Sequence, residues 1–405
     1  MAPVALRDSG PETGDWGAAA PIAEPGSGLP GAGSRVSVEC VSTPARFALL
    51  REEWNELLLA SASANPFLTW EWLHTWWEHL AGGSTLHLVT VREGDRLVAV
   101  APLRIVGGTL HWFSRLEFMG TGDAGSDYLD VIVRTGHEAA GLAALAGYLR
   151  EQQIALRLHH LPPSSVAARL ARTLGADGWT LTQADDGTCP VIPLAGHTFD
   201  SYLGTLGSSH RANVRRRLRS LEQQFDVRFD RVTAHGERCD MLAALVAFHE
   251  RRFKEQGGSS AFMTPAVIAF QDEVTRRALD QGWLRMYALR LDGQAVAVMY
   301  GFLFGGRFYF YQHGFDDQFK SHSIGLVLMA RSIAAALAEG AAEFDMLWGV
   351  ESYKFLWARE ARTLQRVDLF PVHLGGTLHR HAVEARRGVK TLARRVLAIG
   401  ESLGS

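Results

Sequence analysis

The chain is poor in cysteine: three residues, Cys40, Cys189 and Cys239, stand far apart with no CxxC spacing among the 405 positions. That excludes a disulfide framework and a cysteine-rich zinc site, and it fits a reducing compartment. Net charge is also nearly absent. Forty-one Lys and Arg against 43 Asp and Glu leave −2, so no global field draws nucleic acid. No apolar run is long enough to span a bilayer, and the first residues lack a basic segment followed by an apolar one. HExxH, GxSxG and P-loop patterns are missing, and the adjacent His159-His160 has no metal-ligand spacing. No metal is expected, and the expected location is the cytoplasm.

What is present is an apolar content of 47%, enough for two domains with sizeable cores. Residues 1–34, rich in Gly, Pro and Ala without periodic pattern, read as a disordered tail. Helical spacing follows over Ala45–Leu59 and again through NPFLTWEWLHTWWEHL, where Phe67, Trp70, Leu73, Trp77 and Leu80 recur at helical intervals. Those tryptophans either pack as core or, with Trp72, line an acceptor groove. From Leu284 the chain reads LRMYALRL, Asp292-Gly293, QAVAVMYGFLF, Gly305-Gly306, RFYFYQHG, which is an antiparallel meander with two tight turns. An apolar helix follows, with serine as the expected N-cap and Gly340 as its stop. Then come a short strand, EFDML, and Trp348-Gly349-Val350-Glu351-Ser352-Tyr353-Lys354.

An internal repeat supports two copies of one unit. Val98-Ala99-Val100 matches Val296-Ala297-Val298, and Gly107-Gly108 matches Gly305-Gly306, at one constant offset. Asp127 to Val133 reads as a strand entered by acidic residues, and Cys189 to Leu194 as the strand joining the halves. Asp127 and Asp130 are either acceptor ligands facing an inter-domain cleft or turn residues bonded to local backbone. Arg211, Arg215 and Arg219 share a helix face, either solvated or meeting phosphate. Residues 376–405 form a basic amphipathic pattern that suits an anionic membrane surface, a partner, or packing on the chain's own domain.

Phe344-Asp345, Gly349, Tyr353-Lys354 and Trp357, with NPFLTWEWLHTWW and the Arg-rich helix at 211–219, resemble GNAT-superfamily acyltransferases. The resemblance is to the CelD/BcsL-like group of cellulose and exopolysaccharide biosynthesis, similar to Fem-type peptidyltransferases. It implies an α/β (α+β) fold of tandem GNAT-like domains, each a mixed, mostly antiparallel sheet flanked by helices. The boundaries are 35–194 for a degenerate copy, 195–375 for the acyltransferase domain and 376–405 for the C-terminal helix. It further implies an enzyme moving an acyl group, acetyl in the first instance, from acyl-CoA to an amine or hydroxyl of a sugar or polysaccharide precursor. Lys354, Asp345, Tyr353 and His313 are then the catalytic candidates. Ser321, Ser323, Gly325 and Arg215 would hold the cofactor, and Asp127, Tyr128, Glu351 and Trp72 the acceptor.

The alternatives are a Fem-like transferase using aminoacyl-tRNA, or a non-catalytic accessory of polysaccharide synthesis. Lys320-Ser321-His322-Ser323-Ile324-Gly325 departs from the fuller pyrophosphate loop, which keeps the first alternative open.

Overall fold

In the computed structural model, residues 36–107, 114–256, 264–372, 376–377 and 380 are described. The tail at 1–34, the loop at 257–260 and most of the C-terminal basic segment lie outside them.

The first copy begins with β1 (Val36–Val41), α1 (Pro44–Leu49) and α2 (Arg51–Leu59). The single helix expected over 45–59 is therefore broken, at Leu50, which caps one helix and opens the next. A 3-10 turn over Pro66–Leu68 is set by the Asn65 side chain, which accepts from the Phe67 N–H at 2.9 Å. Thr69 then caps α3 (Trp70–Leu80). A hairpin of β2 (Thr85–Glu93) and β3 (Arg96–Val106) leads to β4 (Arg115–Phe118) and β5 (Ile132–Val133). The copy closes with α4 (Glu138–Gln152), β6 (Ala155–Leu161), α5 (Val166–Ala176) and β7 (Thr180–Pro193).

The second copy is preceded by α6 (Phe199–Thr205) and the Arg-rich α7 (Ser208–Gln224). Thr198 caps α6, in a reciprocal box with Ser201. β8 (Val227–Arg231), α8 (His235–Gln256) and α9 (Pro265–Asp280) follow. The meander is β9 (Leu284–Leu291), β10 (Gln294–Phe304) and β11 (Arg307–Phe315). Both residues of each turn, Asp292-Gly293 and Gly305-Gly306, have positive φ, the backbone that a two-residue hairpin loop demands. After them come α10 (Ile324–Ala338), β12 (Glu343–Asp345), α11 (Lys354–Trp357) and β13 (Glu360–Phe370).

The two hairpins match to the residue. Val91 pairs with Ala99, and Leu289 with Ala297; each ladder then skips one residue, Val98 in the first and Val296 in the second. A β-bulge at the same place in two hairpins is a built feature, because it re-aims the strand and its register persists.

Strand order across the sheet is β1-β2-β3-β4-β6-β13-β7-β12-β11-β10-β9-β8, with β5 paired to β3. Matching β1 to β8, β2 to β9, β3 to β10, β4 to β11, β6 to β12 and β7 to β13 reverses this order onto itself. The final strands are exchanged: β13 lies against β6 of the first copy, and β7 against β12 of the second. β7 and β13 pair with each other along their lengths, so the copies share one sheet. This exchange explains why β7 starts nine residues before the strand expected at Cys189. Asp185-Asp186-Gly187 reads locally as a turn, yet Asp186 is accommodated as a bulge opposite β13.

The copies differ at one point. β11 is one strand along β10, with a bulge at Tyr311, whereas its counterpart is split into β4 and β5. The segment between them, residues 119–131, leaves the sheet as a loop, so Asp127–Val131 is not the strand the sequence pattern suggested. Tyr128 sits at φ 56°, a left-handed conformation outside regular β geometry.

Candidate active site

β11 and β12 run parallel and pair from Arg307↔Glu343 to Tyr309↔Asp345. Beyond that point the described ladder ends and the strands diverge, making a fork. Phe308, Phe310 and Phe344 pack with Ile324, Val327 and Ile333 of α10 on one face. Side chains alternate along a strand, so Tyr309 and Asp345 face the other side.

The loop at 119–131 enters the fork from that other side and bonds to both prongs. The Tyr311 hydroxyl donates to the Ala124 carbonyl at 2.5 Å on the β11 prong. Past β12, the Trp348 N–H donates to Asp127 Oδ2 at 2.7 Å, and the Tyr128 hydroxyl donates to Asp345 Oδ2 at 2.6 Å. A segment of the first copy therefore completes the mouth of the second.

Asp345 is fully buried, which a carboxylate tolerates only with partners. It has three: Tyr128, the Leu347 N–H at 2.8 Å, and Arg362 at 3.1 Å. Burial outweighs them and pushes its pKa up to about 6. Arg362 is shared with Glu343, which it grips through both guanidinium nitrogens. Asp127 is also buried, and burial, opposed by the Trp348 N–H and reinforced by Asp345, pushes it up to about 7. Two carboxyls that change charge near neutrality flank the fork, the condition for moving protons there.

Asp130 takes the structural option. It accepts from Ser63 at 2.7 Å and from the Val166 and Ala167 N–H groups at 3.0 and 2.7 Å, fixing the start of α5.

Lys354 is buried and spans the turn after β12. Its ammonium donates to the Trp348 carbonyl at 2.7 Å and the Leu347 carbonyl at 3.3 Å, and lies 3.2 Å from Glu351, whose side chain is mostly exposed. Gly349 (φ 133°) lets this turn close, since a Cβ there would overlap the Glu351 carboxylate and stand 2.7 Å from the ammonium. Lys354 thus holds the β12 prong in place, and Glu351 pairs with it instead of standing free. Tyr353 rests edge-on to His313, ring centroids 6.0 Å apart. Burial, helped by His249, Arg252 and Lys354, drives the His313 pKa down to about 3, so this imidazole is neutral over the working range.

The cofactor candidates divide. Ser321, Ser323 and Gly325 sit together where α10 begins. Ser323 occupies the cap position in a left-handed conformation (φ 55°) with no side-chain cap bond, so the N-cap expected of a serine is not made through its hydroxyl. The leading amides of α10 and its dipole remain as the anion-binding elements. Arg215 pairs with Asp200 on α6 at 3.1 Å. Its neighbour Arg217, which periodicity did not single out, is the arginine that reaches this loop, donating to the Ser321 carbonyl at 3.2 Å.

Trp72 is completely buried among Phe67, Phe270, Phe302 and Tyr311. Its indole N–H donates to Ser126 at 2.8 Å, so it braces the loop bearing Asp127 and Tyr128 and offers no surface to an acceptor.

Beside the fork lies a cavity of about 310 Å³, whose walls include Tyr128, Asp345, Tyr309, Arg307, Arg362 and Arg169. Sequence reasoning found the first two of these; the arginines come from distant strands and a helix and carry no local signal. No His/Cys/Asp/Glu cluster suited to a metal occurs among the described residues. No described helix is long and apolar enough to cross a membrane.

Residues 208–355 match the family model described as an acetyltransferase (GNAT) domain. No curated protein matches the chain. Among solved structures, FemX shares the fold with a TM-score of 0.58 at 11% identity, over 82% of this chain and 97% of that one. A conserved protein of unknown function from Bacteroides thetaiotaomicron gives 0.52 at 12% identity, over 82% and 99%. The C-terminal domain of a putative lysylphosphatidylglycerol synthetase from Agrobacterium fabrum gives 0.51 at 11%, over 80% and 92%. Residues 208–355 therefore carry a GNAT acetyltransferase domain, and it is this domain match that supports an acyltransferase.

Proposed function

We propose that this acyltransferase moves an acyl group, acetyl in the first instance, from acyl-CoA to an amine or hydroxyl of an anionic sugar or polysaccharide precursor. The observation that carries the reading is the fork itself. It has a helix N-terminus on one face, suited to a donor pyrophosphate. On the other it has a cavity whose walls include Arg307 and Arg169, suited to a phosphate- or carboxylate-bearing acceptor, while Arg362 is held by Glu343 and Asp345.

In this reading the acceptor nitrogen or oxygen attacks the thioester carbonyl carbon, and the tetrahedral oxyanion collapses with breakage of the C–S bond. Asp345, whose carboxyl lines the cavity and titrates near neutrality, takes the acceptor proton, which finally neutralises the departing thiolate. Lys354 lends positive charge to the mouth while it fixes the Leu347–Gly349 turn. Tyr353 and the neutral His313 stand edge-on to each other and take no proton in this reading. The exopolysaccharide assignment rests on the Phe344-Asp345…Gly349…Tyr353-Lys354 pattern.

A second reading, transfer of an aminoacyl group from charged tRNA, is favoured by the altered loop at Lys320–Gly325 and by the fold shared with FemX and a lysylphosphatidylglycerol synthetase. Heating the purified chain with acetyl-CoA or with aminoacyl-tRNA separates the two. The proposal expects acetyl-CoA to raise the melting temperature and to release free thiol when a suitable acceptor is added. Protection by aminoacyl-tRNA alone would overturn it.

A further inference from the structure

Four large apolar side chains stand in solvent within nine consecutive residues: Trp348 (54% exposed), Val350 (69%), Phe355 (41%) and Leu356 (48%). The other exposed large apolar residues among those described are scattered over β1, α1, α2 and the end of the sheet. A concentration of this kind marks an interaction surface. Its immediate neighbour is the N-terminus of the 17-residue α7, whose cap residue is Gly207. Between them opens a hollow of about 820 Å³ walled by Phe355, Leu356, Ser209, Asn213, Arg216 and Arg359. His210 stands edge-on to Trp357 at 4.7 Å, and burial together with Arg359 lowers its pKa, so the cationic charge of the hollow comes from the two arginines. Arg216 donates to a neutral group, Asn213 Oδ1, at 2.8 Å, and forms no ion pair among the described residues. The nearby Glu351 is already held by Lys354.

We propose that this surface docks the protein on a membrane face bearing anionic phospholipids. Phe355 and Leu356 enter the boundary between headgroups and chains, and Arg216 and Arg359 bind lipid phosphates. Apolar side chains flanked by arginines are the pattern of an interfacial anchor. Charge selects the occupant. A second copy seated on the same patch would bring arginine against arginine. The chain's own segment at 376–405, with Arg380, Arg386, Arg387, Lys390, Arg394 and Arg395, carries the same sign. Docking here places the β12 prong, and the fork behind it, at the bilayer surface.

The test is co-flotation of the full chain with phosphatidylcholine vesicles, with and without about one-third phosphatidylglycerol, at low and high salt. Binding should require the anionic lipid and weaken with salt. It should fall by about tenfold or more in Phe355→Ser/Leu356→Ser and in Arg216→Gln/Arg359→Gln, with unchanged melting temperatures and with binding retained in Arg216→Lys/Arg359→Lys. Soluble glycerol phosphate should not compete. Equal binding to both vesicles, undiminished binding by both double variants, or displacement by glycerol phosphate would each overturn the proposal. So would an acidic protein or free anion binding the hollow with no vesicle binding. The readout is independent of the transfer reaction, so its failure leaves the acyltransferase assignment untouched.

Discussion

The backbone N–H of Trp348 donates to the Asp127 carboxylate at 2.7 Å, across 221 positions of sequence. This bond ties the end of β12 to the loop that interrupts the first copy, and it makes the mouth of the candidate site a joint product of both copies. Asp127 is held there with a pKa raised to about 7 from 3.8, so the folded state prefers its protonated form. Its contribution to stability is therefore full below about pH 4 and is lost as pH rises through 7. Asp127→Asn keeps an acceptor for the Trp348 N–H and removes the titration. Thermal melts should show the variant gaining on the parent between pH 4 and 7; parallel curves would show that Asp127 does not titrate in that range.

Tyr128→Phe removes one of the donors that oppose the burial of Asp345. The Asp345 pKa should rise above about 6, moving the acid limb of the kcat/KM profile to higher pH. The stability loss should be about 1.5–3 kcal/mol, as for a hydrogen bond to a charged group. An unmoved limb would remove Asp345 from the role of base.

Lys354→Met leaves the Leu347 and Trp348 carbonyls without their donor, at about 1–3 kcal/mol for each one left unsatisfied. Turnover should also drop by roughly two orders of magnitude, as when one electrostatic donor is lost. Glu351→Gln, at the exposed partner of the buried Lys354, should change stability by about 1 kcal/mol or less, because the Leu347 and Trp348 carbonyls still hold the ammonium. A lower melting temperature with unchanged specific activity in Lys354→Met would make the lysine a brace alone.

Gly187 (φ 117°) lies under the Trp348 indole, which donates to the Asp186 carbonyl at 2.9 Å. Gly187→Ala sets a methyl into the indole and should cost about 1–3 kcal/mol, most of it strain. Adding Trp348→Ala should recover part of that loss in a double-mutant cycle. Additive losses would mean that the cost is purely backbone.

Much of the second copy was legible because its signals are local. Asp292-Gly293 and Gly305-Gly306 dictate their turns, and the spacing of α10 and the short β12 follows directly. The repeat was legible too, in Val98-Ala99-Val100 and Val296-Ala297-Val298, although the bulge that both hairpins share there was not. What local pattern could not carry is long-range exchange. Nothing in Thr180–Asp186 announces a strand until β13 pairs with it, and Asp127–Val133 alternates like a strand although Asp127, Tyr128 and Asp130 spend their side chains on distant partners. Asp345 was findable as a charge inside an apolar strand. Arg307, Arg362 and Arg217 were not, since each is an ordinary surface-type residue until the fold assembles it.

The most direct measurement is calorimetric titration of the full-length protein with acetyl-CoA. One site per chain is expected, because the Gly349…Tyr353-Lys354 motif that follows β12 has no counterpart after β6 in the first copy. Gly325→Asp, which sets a carboxylate among the leading amides of α10 against Phe315 at about 3.1 Å from the new Cβ, should abolish the heat. No heat with the parent chain, two equivalent sites, or binding untouched by Gly325→Asp would contradict the account.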